Sequence, residues 1–302
     1  MSVPLRKVIR ACLRPAARQA RRWLDSPPPP KPPTTFQWQT LKAGPAAGIQ
    51  LKLPSPSVLS DRIVNGQFEA LESQLVTKLI GNGDQCIDIG GHYGHFTMLM
   101  SSLASEGHVH TFEPVPAHAQ RLSEAVSRSK RGNVTIHEMA VAETEGEMRL
   151  RFADQAGDDS MAYLTEYGGV DVAVAREQYK SFVDTIVSTK TLDRIGEEVS
   201  EFGKVTFIKM DAEGAEAAII RGGLRFLEQC RPRILMEIHG VQEALCCADR
   251  LWPLGYQAIL LSTTKTTHPI LWTAVQDDTA IEVVAEVLGQ RPIVLTGNTV
   301  DR

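Results

Sequence analysis

The chain has 302 residues, of which 43% are hydrophobic and 23% charged, and its formal net charge is −4. These values are ordinary for a globular protein. No run of 18 apolar residues occurs, so we expect no transmembrane helix. The five cysteines form no C-x-x-C pair and no zinc-site spacing, which argues against a metal or disulfide scaffold and favours a reducing, cytoplasmic location.

Residues 1–25 form a basic N-terminal arm. They hold seven basic residues and one acid, a net charge of +6, so the remaining 277 residues carry −10. An acidic body argues against nucleic-acid binding. Arginines recur every four residues from Arg6 to Arg18, which predicts a basic amphipathic helix that Pro15 weakens. Such a helix would make peripheral contact with an anionic membrane surface. A solvated tail and a serine-poor transit peptide are the alternatives.

A proline-rich segment follows the arm. Residues 26–33 contain six prolines, which predict an extended, semi-rigid spacer. We therefore place a linker at residues 26–35 and a single folded body at residues 36–302.

The body alternates predicted strands and helices after a lead-in segment with a short strand at residues 49–53. Further strands are predicted at residues 86–89, 109–112, 134–137, 183–188, 205–210, 234–238, 257–261 and 270–274. Helices are predicted at residues 71–79, 96–103, 117–126 and 241–251. Residues 147–152 are expected to pair antiparallel at an edge. This alternation predicts an α/β fold with a mostly parallel sheet and helices on both faces.

A glycine-rich turn follows the first strand of this series. It holds Gly90, Gly91 and Gly94, with Asp88 two residues before the first glycine, and the next strand ends at Glu113. In doubly wound sheets such strand ends face one crevice, where glycines admit a ligand and a terminal acid holds a ribose. The spacing is not the G-x-G-x-x-G of a dinucleotide site, and Asp88 would repel a pyrophosphate. S-adenosylmethionine has no phosphate and carries an ammonium, a sulfonium and a ribose, so these residues predict this cofactor and disfavour a dehydrogenase.

A second motif lies at the end of a later strand. The sequence from Lys209 to Glu216 reads Lys-x-Asp-x-Glu-Gly-x-Glu and leads into a helix. Together with the glycine-rich turn and the Phe-Glu-Pro at residues 112–114, it resembles the FkbM-type S-adenosylmethionine-dependent methyltransferases over about residues 60–260. The resemblance implies a class I methyltransferase (Rossmann-like) fold. It also implies methyl transfer to a hydroxyl of a sugar, polyketide or related small molecule.

Six residues are assigned to the cofactor. They are Asp88, Gly90, Gly91, Gly94, Glu113 and Ala140. Asp88 is expected to meet the methionine ammonium, directly or through water, and Glu113 the ribose hydroxyls. The loop at Ala140 follows the third strand and is expected to contact the adenine. The alternatives are helix capping by Asp88, a surface position for Glu113 and core packing by Ala140.

The candidate catalytic residues are Asp211, Glu237 and His239, at the ends of two strands expected to be adjacent. A neutral alcohol is a poor nucleophile, so a base that removes its proton helps the reaction. Asp211 is the best placed at a strand end, whereas His239 has the ordinary pKa nearest neutrality.

Three further residues, Lys209, Glu213 and Ser160, are assigned to orienting the substrate. Lys209 lies inside an apolar strand and is expected to pair with a neighbouring acid. Ser160 belongs to a polar loop that would cover the site, or to an ordinary surface loop. The acids and His239 would also suit a divalent metal, but the resemblance requires none and we assign no metal site.

The leading hypothesis is an O-methyltransferase acting on a sugar, a glycolipid or a related small molecule. N-methylation of a small amine or peptide is an alternative, although Met210-Asp211-Ala212-Glu213 replaces the Asn/Asp-Pro-Pro-aromatic loop of many amino-group methyltransferases. A non-catalytic cofactor-binding scaffold is the third hypothesis, and the intact Asp88, Glu113 and Asp211 argue against it. The sequence names neither the acceptor nor the oligomeric state.

Overall fold

The computed structural model describes residues 35–153, 162–167, 182–199, 203–261 and 268–297. The predicted arm at residues 1–25, all but the last residue of the linker, and Ser160 lie outside these ranges. Among the described residues, no helix combines the length and the apolar character needed to cross a membrane.

Fourteen strands and nine helices are described. The strands are β1 (Thr35–Thr40), β2 (Gln50–Ser55), β3 (Gln85–Ile89), β4 (His108–Phe112), β5 (Val134–His137), β6 (Ala140–Ala142), β7 (Gly146–Ala153), β8 (Ala162–Leu164), β9 (Phe182–Thr191), β10 (Val205–Met210), β11 (Arg233–Ile238), β12 (Tyr256–Leu260), β13 (His268–Ala274) and β14 (Ile293–Thr296). The helices are α1 (Val58–Val64), α2 (Ala70–Leu79), α3 (His95–Leu103), α4 (Pro116–Ser129), α5 (Leu192–Val199), α6 (Glu216–Arg221), α7 (Leu224–Cys230), α8 (Val241–Leu251) and α9 (Asp278–Leu288).

The central sheet has eight strands in the order β14-β12-β13-β11-β10-β3-β4-β5. The five strands from β11 to β5 run parallel, whereas β13, β12 and β14 are joined by antiparallel pairings. Strands β3, β10 and β11 are buried along most of their length. A parallel strand covered on both faces needs an almost continuous apolar sequence, which is what these strands have.

Helices cover both faces of this sheet. Neighbouring residues of β10 face opposite sides of the sheet. Ile208 packs in the core under α5, α6, α7 and α8. Phe207 packs in the core under α2, α3 and α9. Helix α4 packs its Leu122 against Leu51 of β2. The predicted fold, a mostly parallel sheet with helices on both faces, is confirmed.

A separate four-stranded sheet has the order β6-β9-β7-β8. The predicted strand at residues 147–152 does pair antiparallel, but with β8 and β9 of this second sheet and not at the edge of the central sheet. The alternating side chains predicted a strand correctly, whereas its partner depends on residues distant in sequence. The structure also contains a hairpin of β1 with β2, and the C-terminal elements α9 and β14. Of these, the sequence predicted only the strand at residues 49–53.

Parallel pairing brings four strand ends to one edge of the central sheet. The hydrogen bonds between strands continue one residue beyond the strand ends. The N–H of Gly90 donates to the carbonyl of Phe112 (2.9 Å), and the N–H of Asp211 donates to the carbonyl of Ile89 (3.0 Å). The residues that follow β3, β4, β10 and β11 therefore face the same crevice, as the sequence predicted.

Candidate active site

A pocket opens at this edge of the sheet. It holds about 670 Å³ of empty space, counting the mouth that is open to solvent. Its lining includes Gly90, Glu113, Ala140, Asp211 and Glu213. The fold therefore brings together five predicted site residues that come from four separate segments of the chain.

Glu113 stands at the end of β4 with both carboxylate oxygens hydrogen-bonded. The N–H of His92 donates to Oε2 (2.7 Å) and the N–H of Val115 donates to Oε1 (2.9 Å). His118 Nδ1 lies 3.5 Å from Oε1, and the side chains of His118 and Glu113 are both almost fully buried. Burial alone would raise the pKa of Glu113, but His118 and the Val115 N–H together hold that pKa below its ordinary value. Glu113 is a fixed, ionised acid at the pocket wall.

Part of the pocket lining is apolar. Met139 and the β6 residues Ala140 and Val141 contribute to it, together with Leu150 of β7 and Leu164 of β8. Ala140, which the sequence predicted in a loop, lies in a strand of the second sheet. A backbone stretch beside an apolar surface suits the edge and face of a purine, which is the role assigned to the Ala140 loop. The contribution of β7 and β8 was not predicted, because Leu150 and Leu164 carry no local sequence signal for a ligand.

Two of the predicted glycines are required by the packing of the protein itself. Gly90 has φ +87°, and a Cβ there would collide with the backbone carbonyl of Asp211. Gly94 also has φ +87°, and a Cβ there would collide with Leu122 of α4. These glycines thus let the turn lie directly against β10 and α4, in addition to any room that they leave for a ligand.

Asp88 does not line the pocket. Its side chain is buried, and the Thr97 hydroxyl of α3 donates a 2.6 Å hydrogen bond to Oδ2. Burial raises the pKa of Asp88 to about 7, although the Thr97 hydrogen bond and the charge of Lys209 oppose the rise. Side chains alternate along β3, so Asp88 points toward the helix layer. The structure thus gives Asp88 a partner on α3 and does not bring it to the pocket with the other predicted residues.

Lys209 is buried within β10 and meets the acid expected for it. Its Nζ lies 4.0 Å from Glu69 Oε2 and 4.9 Å from the centre of the Phe96 ring. Burial alone would lower the pKa of Lys209, but the surrounding acids, Glu69 first among them, raise it above its ordinary value. Lys209 therefore carries a permanent positive charge beneath the sheet edge.

His239 lies among three carboxylates at the end of β11. Its Nδ1 is 2.9 Å from Glu216 Oε1, and its Nε2 is 3.4 Å from Glu213 and 3.8 Å from Asp211. Burial alone would lower the pKa of His239, but the Glu216 hydrogen bond and the three negative charges raise it to about 10. The assignment of His239 as a base with a near-neutral pKa is therefore wrong for this geometry, because the ring is a cation at neutral pH.

Glu213 occupies the turn between β10 and α6. Its φ is +48°, which is uncommon for a residue with a side chain, and it places the carboxylate at the pocket. Burial and the charge of Asp211 raise the pKa of Glu213 to about 8, against the opposing charge of His239. Glu213 is therefore the pocket acid that exchanges a proton near neutral pH.

Within the described part of the chain, two groups of side chains have the spacing of a metal site. Ligand atoms of Asp211, Glu213 and His239 lie within 4.8 Å of one another, as do those of Glu69, Asp211 and Glu237. The second group places Glu237 beside Asp211. The spacing would suit a divalent cation with oxygen and nitrogen ligands. The positive charges of Lys209 and His239 already lie against these acids.

Sequence reasoning missed Glu69 and His118. Glu69 immediately precedes α2, where an acid is common for reasons of capping, and His118 is a single histidine within a helix. Neither residue belongs to a motif, and each meets its partner only through the tertiary fold.

A family model described as "Methyltransferase FkbM domain" matches residues 88–263. A curated protein named "Methyltransferase 1" from Beauveria bassiana (strain ARSEF 2860) is 24% identical to the chain over 141 residues. The match covers 45% of this chain and 57% of that protein, so the chain spans little more than half the length of this relative.

Two solved structures are also similar to this chain. A crystal structure of "Methyltransferase FkbM" from Methylobacillus flagellatus KT has 14% identity and a TM-score of 0.45, and the match covers 70% of this chain and 52% of that one. A SAM-dependent O-methyltransferase from Thermotoga maritima has 13% identity and a TM-score of 0.42, with 74% and 73% covered.

Proposed function

The chain belongs to the methyltransferase FkbM domain family and has a class I methyltransferase fold, and on that premise we propose that it methylates a hydroxyl group with S-adenosylmethionine as the methyl donor. The acceptor is a sugar, a glycolipid or a related small molecule. The observation that supports the proposal is that two acids of different character line one pocket. Glu113 is fixed and ionised, and Glu213 exchanges a proton.

The residues present fit this cofactor. Glu113 is ionised and lines the pocket, and a carboxylate with about four lone-pair sites has acceptor capacity beyond two backbone N–H groups. It would hold the ribose hydroxyls. The apolar wall at Met139, Ala140 and Val141 would hold the adenine. When bound, S-adenosylmethionine supplies a methyl group on a positively charged sulfur.

Two other acids of the pocket, Asp211 and Glu213, handle the proton of the acceptor. In methyl transfer to an alcohol an O–C bond forms, a C–S bond breaks, and the hydroxyl proton must leave. Asp211 and Glu213 both line the pocket and accept that proton as a pair. His239, held by Glu216, stabilises the negative charge of the pair and fixes its orientation.

Calorimetric titration of the full chain with S-adenosylmethionine, and separately with NAD, tests the cofactor. Binding of the former alone supports the proposal, whereas binding of NAD alone would contradict it. Transfer of a labelled methyl group to free and lipid-linked saccharides, compared with small amines and peptides, tests the acceptor. Labelling of amines in preference to saccharides would replace O-methylation by N-methylation.

We also propose that the basic residues 1–25 bring the enzyme to a membrane that carries a glycolipid or lipid-linked acceptor. The support is the spacing of arginines and apolar residues in the sequence. Deletion of residues 1–33 should abolish co-sedimentation with anionic vesicles and leave turnover of a water-soluble acceptor unchanged. Full-length protein that stays in the supernatant would contradict this part of the proposal.

A further inference from the structure

A second pocket lies between the loop at residues 41–46 and the helices α1, α2 and α3. It holds about 930 Å³ of empty space, counting its open mouth. Much of its lining is apolar, and Leu41, Ala46, Ile63 and Leu99 are buried there. Of the residues that the structure describes, none lines both this pocket and the candidate active site. The second pocket is therefore a separate space with an apolar interior.

His95 lines this pocket from the start of α3. Its Nε2 lies 2.9 Å from Ser73 Oγ on α2, within hydrogen-bond distance. The Ser73 hydroxyl also donates a hydrogen bond to the carbonyl of Phe68 (3.3 Å). The Phe68 ring packs edge-on against the His95 ring, with 5.4 Å between their centres. These contacts fix the orientation of the imidazole at the pocket.

The hydrogen bonds of Ser73 decide which ring nitrogen of His95 carries the proton. Burial and the charge of Lys209 lower the pKa of His95 to about 4, so the ring is neutral at pH 7 and has a single N–H. A hydroxyl has one proton, and Ser73 donates it to the Phe68 carbonyl. Ser73 therefore accepts from Nε2, and Nδ1 of His95 is left as an acceptor.

Nδ1 of His95 is an acceptor whose donor is missing. The atom is buried and makes no hydrogen bond with any residue that the structure describes. The large majority of buried polar side-chain atoms have a partner, and leaving one without a partner costs free energy. A ligand with a hydroxyl or an N–H group would supply the donor that Nδ1 lacks.

The charge of the lining favours a neutral ligand. Lys78 is the one charged residue among the described residues of the lining, and its Nζ already pairs with Glu286 of α9 at 2.9 Å. A charged ligand would lose its hydration without meeting an unpaired opposite charge. An apolar body and a single neutral donor therefore match what the pocket offers.

We propose that this second pocket binds a small, neutral, apolar molecule that carries one hydrogen-bond donor, and that this donor bonds to His95 Nδ1. Ligand pockets are typically lined by apolar side chains with a few placed polar groups, which is the arrangement found here. The inference is independent of the proposed function, because the pocket and its lining lie outside the candidate active site.

The first test uses two probes of nearly the same shape on the unmodified full chain. Indole has an N–H donor, and benzofuran has an ether oxygen in its place. Titrations followed by ligand-observed NMR measure both dissociation constants. We expect indole to bind about three- to tenfold more tightly, which is what one hydrogen bond is worth. Equal affinities, or no binding of either probe, would overturn the inference.

The second test places the binding in this pocket. Ala70 is an exposed residue of the lining at the start of α2. Ala70→Trp would fill the space with an indole side chain, so both probes should lose their binding. Probe binding that survives Ala70→Trp lies elsewhere on the protein and would overturn the inference.

The third test is His95→Phe, which keeps an aromatic ring and removes the acceptor. The preference for indole should disappear, because its affinity falls about three- to tenfold to that of benzofuran. His108→Phe is the matched control, since His108 lies on β4 and does not line the pocket; it should keep the preference. A preference that persists in His95→Phe would overturn the inference. If His95→Phe does not fold, the two probes on the unmodified chain and on Ala70→Trp decide.

Discussion

Glu113 and Glu213 line the same pocket and are the same residue type, yet the structure gives them opposite protonation behaviour. Glu113 is buried among donors, the N–H groups of His92 and Val115 and the ring of His118, and its pKa is lowered. Glu213 is half-buried beside the carboxylate of Asp211, and its pKa is raised to about 8.

Glu113 is the more deeply buried of the two acids, so burial alone would raise its pKa more; the difference lies in what surrounds each acid. Donors around a buried carboxylate stabilise its charge, whereas a neighbouring carboxylate penalises it. Such a pair, with pKa values pushed in opposite directions, is the usual signature of divided roles in an active site. This difference supports the proposal that Glu113 holds a ligand and that Glu213 takes up a proton.

The sharpest test of this division is Asp211→Asn. It removes one acid of the proton-accepting side, so turnover should fall by about 10²–10⁴-fold while the affinity for S-adenosylhomocysteine changes only a few-fold. Labelled methyl transfer and calorimetry measure the two quantities. Asp249→Asn, at an exposed acid far along α8, is the control and should retain full turnover. Unchanged turnover in Asp211→Asn would remove Asp211 from the mechanism.

Glu113→Gln should show the opposite pattern. The neutral amide cannot satisfy both backbone N–H groups as an ionised carboxylate does, so the affinity for S-adenosylhomocysteine should fall by about tenfold to a hundredfold. The rate at saturating cofactor should change much less. Glu124→Gln is the control, because Glu124 is a half-buried acid on α4 that pairs with Lys52 and does not line the pocket. A variant that binds normally but turns over slowly would place Glu113 on the chemical side of the pocket.

The pH profile sharpens the role of Glu213. Its pKa is raised to about 8, so the ionised, proton-accepting form accumulates as the pH rises toward that value. The ratio kcat/KM should rise about tenfold per unit below pH 8 and then level off. Glu213→Gln should lower the rate and flatten the profile. A rate of the unmodified chain that is independent of pH from 6 to 9 would exclude Glu213 as the group that titrates.

The smallest expected effect concerns the strands that support Glu113. His110 is buried on β4, and its burial, with the charges of His108 and His137, lowers its pKa from 6.5 to about 4. The unfolded chain therefore binds more protons between these values, so stability is full above pH 6.5 and falls as the pH drops toward 4. His110→Phe should make the melting temperature less sensitive to pH over this range by several degrees. If the melting temperature of the variant falls with decreasing pH as much as that of the unmodified chain, His110 does not cause the pH dependence.

Local patterns predicted most of the fold. The apolar runs of β3, β4, β10 and β11 and the glycine-rich turn between β3 and α3 were all placed within a few residues of their observed bounds. The second sheet was not predicted as a sheet, because the pairing of β7 with β8 and β9 joins segments whose sequences do not record their partners.

The candidate site shows the same contrast between what the local sequence predicts and what the tertiary structure adds. The sequence by itself determined that Glu113, Asp211 and Glu213 stand at strand ends on one edge, because strand polarity and chain order fix where such residues fall. Only the tertiary structure decided which acids are ionised, that His239 is a cation, and that Glu69 faces Lys209. Protonation depends on burial and on neighbours from distant segments, and folding alone brings those neighbours together.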